Sequence, residues 1–197
     1  DADALEHLTG QPVDANSFAV RPARDGETFL GLDDQKRSLD SRVQVVTCHD
    51  RPVAVAGVMG SLESGVTAQT RNIWLESALF APPRVRQSAR ALGLRTDASS
   101  RFEKGLPVEM TLACSARASS LLNQEFGCIE VGRWVGGEGP TDPAPVLLRR
   151  LALHQLLGPL DGPDGPKELD DNSIESCLTA LGCQLTPHED GWQVIAP

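Results

Sequence analysis

A chain of 197 residues, 40% hydrophobic and 23% charged, has the composition of a folded globular protein and can bury a core without disulfide or metal staples. Its formal net charge of −9 argues against nonspecific nucleic-acid binding over the whole surface, because phosphate contacts need clustered Lys and Arg. No apolar run reaches the length that spans a bilayer and the N-terminus has neither a basic stretch nor a hydrophobic signal core, so no membrane partner and a cytoplasmic location are expected.

In chain order, Val43–Val46 and Val53–Ala56 are short β-branched runs around Cys48-His49-Asp50-Arg51-Pro52, whose polar residues and proline predict a turn and hence a hairpin. Gly57 to Gly60 reads as a tight turn, and Asn72 to Phe80 continues in strand style. Pro82-Pro83 opens a helix carrying Val85, Ala89 and Leu92 and closed by Gly93. Thr96-Asp97-Ala98-Ser99 is a helix-start turn. Pro107 opens the longest expected helix, with an apolar stripe of Val108, Leu112, Ala116, Leu122 and Phe126 before Gly127. Gly136 to Pro145 disfavours helix and ladder alike and marks a domain boundary. Beyond it come a strand at Val146-Leu147-Leu148, a helix from Leu151 to Leu157 and a Gly/Pro loop through Pro166. A helix follows, started by a capping-box pair, Asn172 and Glu175, and holding Ile174, Cys177, Leu178 and Leu181. A strand around Trp192 ends the chain. The fold class is α+β: a mixed sheet with packed helices over 1–137, a linker at 138–145, and a small α+β domain with two helices and flanking strands over 146–197.

Five scattered cysteines, with no CxxC pair at metal spacing, read as buried free thiols, and no metal site is expected. The four histidines show no ligand-like spacing. Arg84, Arg86, Arg90, Arg95 and Arg101 form the one cationic cluster, for which a tRNA contact and a solvated helix face stand on equal footing. Arg101 and Glu103 read as an ion pair or loop anchors. No serine sits beside a base in a Ser-His-Asp arrangement. The chain starts at Asp1 and stops at Pro197 just after a strand, and it reads as a piece of a longer polypeptide.

The ordered set Gly57-Val58-Met59-Gly60, Trp74-Leu75-Glu76-Ser77-Ala78 and Gly93-Leu94-Arg95-Thr96-Asp97-Ala98-Ser99-Ser100-Arg101-Phe102-Glu103-Lys104-Gly105 resembles the editing domain in the beta subunit of bacterial phenylalanyl-tRNA synthetase. Residues 146–197 resemble the small domain that follows it. The resemblance implies that Glu76 accepts a hydrogen bond from the phenol of a misattached tyrosine, that Ala98, next to Thr96, leaves room for the ring, and that Gly60 walls the pocket. On the residues alone, Glu76 on a strand is better read as a structural acid paired with a nearby arginine, and the resemblance reverses that reading. The resemblance further implies water attack on the ester of misacylated phenylalanine tRNA. It places the chain in an alpha-beta heterotetramer that uses ATP and magnesium, with an alpha subunit as partner and no cofactor in this part.

The sequence departs from the family at three points. Asp14, in Gly10-Gln11-Pro12-Val13-Asp14-Ala15, stands where a histidine is usual, Asp3 stands near a usual Asn, and Ser61 replaces a second glycine. Like charges on Asp14 and Glu76 would repel if close. These departures support the alternative of an editing-deficient structural or tRNA-binding scaffold.

Overall fold

The two β-branched runs pair as expected in the computed structural model, which describes residues 1–137, 143–162 and 165–197. Contact density divides the chain into two units, Asp1–Gly139 and Pro140–Pro197. The first begins with helix α1 (Ala2–Thr9), a single 3₁₀ turn (Ala15–Ser17), β1 (Phe18–Pro22), β2 (Thr28–Leu30) and β3 (Lys36–Ser38). β4 (Gln44–Cys48) and β5 (Arg51–Val55) then form an antiparallel hairpin whose two turn residues, His49 and Asp50, lie at φ 45° and 66°. Two consecutive left-handed residues match the twist of the flanking strands. Pro52, expected in the turn, lies inside β5. A register shift between Val46 and Thr47 makes room for it, since a bulge tolerates a residue with no N–H to donate.

With β6 (Met59–Gly60) the sheet order is β1-β4-β5-β6. The α+β class holds, with one refinement: the sheet expected to be mixed is antiparallel at every pairing. Alternation sends Val45 and Val55 to one face, where they meet Phe29, Leu39, Val58 and, from α2 (Pro82–Leu92), Val85 and Ala89. Val46, Cys48 and Val53 go to the other face, with Leu5 of α1 and Ala56. The sheet is therefore covered on both sides. α2 starts on its prolines and ends at Gly93 with φ 63°, as the sequence predicts. Its buried residues Val85, Ser88 and Ala89 follow helical spacing, and the Ser88 hydroxyl accepts the Gln44 N–H at 2.9 Å, which seats the helix on the start of β4.

α3 (Asp97–Phe102) and α4 (Glu109–Phe126) follow. α4 is the longest helix of the described residues and ends at Gly127, φ 66°, but buries no residue: Leu112 is 51% and Phe126 77% exposed. The expected stripe is present in sequence and largely exposed in the structure, with only Leu122 of it half-buried. Residues 72–80 form no strand either. Strand-like composition there finds no ladder partner, and side chains hold the segment instead.

The second unit holds β7 (Val146–Arg149), α5 (Arg150–Leu157), β8 (Leu160–Gly162), β9 (Gly165–Lys167), α6 (Asp171–Ala180), β10 (Gln184–His188) and β11 (Gly191–Ile195). Its three-stranded sheet runs β10-β11-β7, all antiparallel. The Gly/Pro loop expected after α5 contains the β8–β9 hairpin, and Pro163 within it lies outside the described residues, as do 138–142 of the expected linker. α6 is capped by Asp170, which accepts the Ser173 N–H at 2.9 Å, rather than by Asn172. Glu175 instead accepts the indole N–H of buried Trp192 at 2.7 Å, while Arg150 stacks over that ring and pairs with Asp171. The cysteine expectation fails in part: Cys48 is buried, Cys183 is half-buried, and Cys114, Cys128 and Cys177 are exposed.

Candidate functional site

Thr96 organises the first half of the site. It caps α3 by accepting the Ser99 N–H at 3.0 Å, and the same hydroxyl donates to the Val58 carbonyl at 2.7 Å. The Ser99 hydroxyl completes a capping box by accepting the Thr96 N–H at 2.9 Å. Through Val58 the Thr-Asp-Ala-Ser turn is tied to the Gly57–Gly60 turn, so Thr96 and half-buried Ala98 stand on a helix start bonded to the loop that carries Gly60. Spacing alone could not reveal this link, since the partners are 38 residues apart. Thr96→Val would remove both bonds and leave the Val58 carbonyl without its donor. A loss of about 1–3 kcal/mol in urea unfolding is expected, against a few tenths for Thr96→Ser.

Gly57 sits at φ 67°, and a Cβ there would lie 3.1 Å from Phe80 and Val85 and 3.3 Å from Phe102. Gly60 is different: its φ is ordinary, and a Cβ would meet only the Leu32 side chain, at 3.3 Å. Ser61, in place of a second glycine, is 2% exposed and accepts the Glu63 N–H at 3.2 Å.

Three side chains fix the segment carrying Glu76. Trp74 meets Phe18 edge-on with centroids 5.3 Å apart, the Ser77 hydroxyl donates to the Thr111 carbonyl at 2.7 Å, and Phe80 packs on Phe102 at 5.4 Å. Phe80 also borders Gly57, so Glu76 lies four residues from a side chain that touches the Gly57–Gly60 turn. By accessible area Glu76 is an exposed residue, yet its surroundings are dense enough that desolvation raises its pKa above the usual 4.5, with no charged neighbour contributing. Among the described residues no cation pairs with it, which removes the structural ion pair as its role.

An acid whose folded-state pKa is raised holds its proton more tightly folded than unfolded. Its ionisation therefore costs stability as pH rises above the ordinary carboxylate range, and the cost vanishes below that range. Glu76→Gln is expected to gain stability relative to the parent chain at pH 7 and to gain none at pH 4. Paired urea titrations at the two pH values check this.

Asp14 lies at the start of a different element, the 3₁₀ turn (Ala15–Ser17). It is exposed and caps the 3₁₀ turn, accepting the Ser17 hydroxyl and the Asn16 N–H, each at 2.9 Å. The Ser17 hydroxyl and the other donors hold its pKa below the usual value, so the carboxylate is committed to local structure. Desolvation is the cause of the raised Glu76 pKa, and the charge on Asp14 does not contribute to it. Asp3 lies in the first turn of α1 and accepts from the Asn72 side chain at 3.5 Å. His49 places its Nε2 2.9 Å from the Pro12 carbonyl, beside the segment that carries Asp14. Glu103 pairs with Arg86 at 3.9 Å rather than with Arg101. Two surface depressions are lined by other residues, one by the arginines of α2 and one by Glu27, Lys36, Arg51 and Glu63.

The family model of the B3/4 domain matches residues 1–127. The chain belongs to the B3/4 domain family. The match takes in Asp14, Gly60, Glu76, Thr96 and Ala98 together. Similar proteins extend the likeness over the whole chain. It is 84% identical to a phenylalanine–tRNA ligase beta subunit of Synechococcus sp. strain CC9605, 56% to that of Prochlorococcus marinus strain MIT 9313, and 42% to that of Synechococcus elongatus. Each comparison covers 100% of this chain and 24% of the relative. The chain thus spans about a quarter of the length of the curated relatives it matches, with the B3/4 domain in its first unit. No helix of the described residues is long and apolar enough to cross a membrane.

Proposed function

We propose that this B3/4 domain is the proofreading part of a phenylalanine–tRNA ligase beta subunit, hydrolysing tyrosine misattached to phenylalanine tRNA. The observation that carries the reading is Glu76: a carboxyl group without a cation partner among the described residues, its pKa raised by desolvation, on a segment whose Phe80 borders Gly57 and packs on Phe102 of the helix that carries Ala98. An unpaired acceptor in such a place suits a ligand that brings a hydroxyl. Phenylalanine and tyrosine differ by that one group, and an apolar pocket rejects the smaller ring poorly. With phenylalanine in place the carboxylate would lose both water and partner, at a cost of about 1–3 kcal/mol. Ala98 and Gly60 keep the pocket open, and Thr96 holds their two turns in register.

The hydrolysis itself is assigned to water. Its oxygen bonds to the ester carbonyl carbon, the bond to the ribose oxygen of the tRNA terminus breaks, and free tyrosine and a ribose hydroxyl result. The domain's part is to position ester and water, which is enough for a large rate effect. The rest of the proposed ligase, with its alpha subunit, heterotetrameric assembly, cytoplasmic location and ATP-driven aminoacylation, follows from the family resemblance. Among the described residues no group of three or more His, Cys, Asp or Glu is placed to hold a metal ion.

Pre-formed tyrosyl and phenylalanyl esters of phenylalanine tRNA, offered separately to the complete synthetase, test the proposal. The tyrosyl ester should be lost at least tenfold faster, and equal loss would contradict the sieve. A second reading, a scaffold without hydrolysis, draws on Asp14, whose carboxylate serves the 3₁₀ turn where the family's histidine is usual. Neither ester lost faster than in buffer would favour it.

A further inference from the structure

The arginine cluster of the sequence acquires a shape in the structure. α2 turns Val85, Ser88 and Ala89 inward and leaves Arg84, Arg86 and Arg90 exposed on its outer surface. The Ser88–Gln44 bond seats the helix beside the start of β4, and Arg42, two residues earlier, arrives at the same place. Arg42, Arg84, Arg86, Gln87 and Arg90 line one open surface depression of about 550 Å³. Two of the four arginines are compensated, Arg42 by Asp40 at 2.7 Å and Arg86 by Glu103 at 3.9 Å. Arg84 bonds only to the neutral Gln87 at 3.4 Å, and neither Arg84 nor Arg90 has a carboxylate partner among the described residues. Arg95 and Arg101 do not line the depression.

We propose that this depression is a phosphate-backbone contact site for RNA, with Arg84 and Arg90 as the two charge-bearing contacts and Gln87 as a neutral donor between them. Guanidinium groups present planar donor pairs that match phosphate oxygens, and an uncompensated pair of them is what counterion release requires. The chain's net charge of −9 repels a polyanion elsewhere, so contact is confined to places where cations exceed acids. An open depression suits a backbone that lies across it rather than a small ligand that must be enclosed. The proposal deepens the reading above, since it rests on a tRNA as partner, but it concerns docking and not hydrolysis.

The test uses the complete synthetase and phenylalanine tRNA, with affinity measured between about 50 and 200 mM salt. Arg84→Gln with Arg90→Gln should lower the slope of log affinity against log salt by roughly 2, about 1 per arginine. The affinity lost across that salt range then becomes roughly fifteenfold smaller than in the parent enzyme. Arg84→Lys with Arg90→Lys should keep the parent slope. A parent-like slope and affinity in the glutamine variant would overturn the site. So would an unchanged slope with weakened subunit assembly, which would give the patch to an acidic protein surface. Tyrosine release is read separately: a lowered slope without any release would leave the contact site standing and remove the proofreading role.

Discussion

Glu76→Ala is expected to slow hydrolysis of the tyrosyl ester by the complete synthetase about 10- to 100-fold and to speed that of the phenylalanyl ester. The size follows from one hydrogen bond to a charged acceptor, about 1.5–3 kcal/mol, at 1.36 kcal/mol per tenfold change. The substitution removes the acceptor and also the penalty that phenylalanine suffers, so the ratio of the two rates falls more clearly than either rate alone. Glu76→Gln, which retains an acceptor oxygen without charge, should lie between. Single-turnover release from both esters measures the ratio. An unchanged ratio in Glu76→Ala would place the discrimination on other residues. Folding is not the confounder here, because Glu76 pairs with no cation among the described residues and its ionised form is disfavoured by its surroundings.

Gly57→Ala is expected to destabilise the first unit by about 2–4 kcal/mol. The left-handed backbone at φ 67° costs an alanine about 1–2 kcal/mol, and its methyl would crowd Phe80, Val85 and Phe102, which belong to or border the core under α2. Gly60→Ala should cost under about 1 kcal/mol, because its φ is ordinary and its one close neighbour is Leu32, 56% exposed and free to move. The two glycines of one turn thus separate fold from site. Urea unfolding should show the large loss only at Gly57, and ester hydrolysis by a folded Gly60→Ala enzyme should report a narrowed pocket. Equal stability losses at both positions would contradict this division.

Local signals were legible in the sequence where local physics decides them. The prolines and Gly93 bound α2, Thr96 and Ser99 box the start of α3, and Gly127 stops α4, each within a few residues of the expected place. Where the outcome depends on a distant partner, sequence reading erred. Residues 72–80 have strand composition but form no ladder with any strand, and the α4 stripe has helical spacing but stays largely exposed. Glu175 has capping spacing from Asn172, yet a buried indole 17 residues away takes its carboxylate. The site divides the same way. Thr96, Ala98 and Gly60 were readable as turn residues, whereas the Thr96–Val58 bond that joins their turns and the desolvation of Glu76 needed the folded chain. Asp14 adds what spacing could not show: its carboxylate caps the 3₁₀ turn that follows it.

The structure of the complete synthetase with a non-hydrolysable tyrosyl-adenosine analogue would test the central claim most directly. The phenol oxygen is expected about 2.5–2.8 Å from a carboxylate oxygen of Glu76, with the ring between Ala98 and Gly60. A phenol directed into bulk water, or an analogue bound away from these three residues, would contradict it.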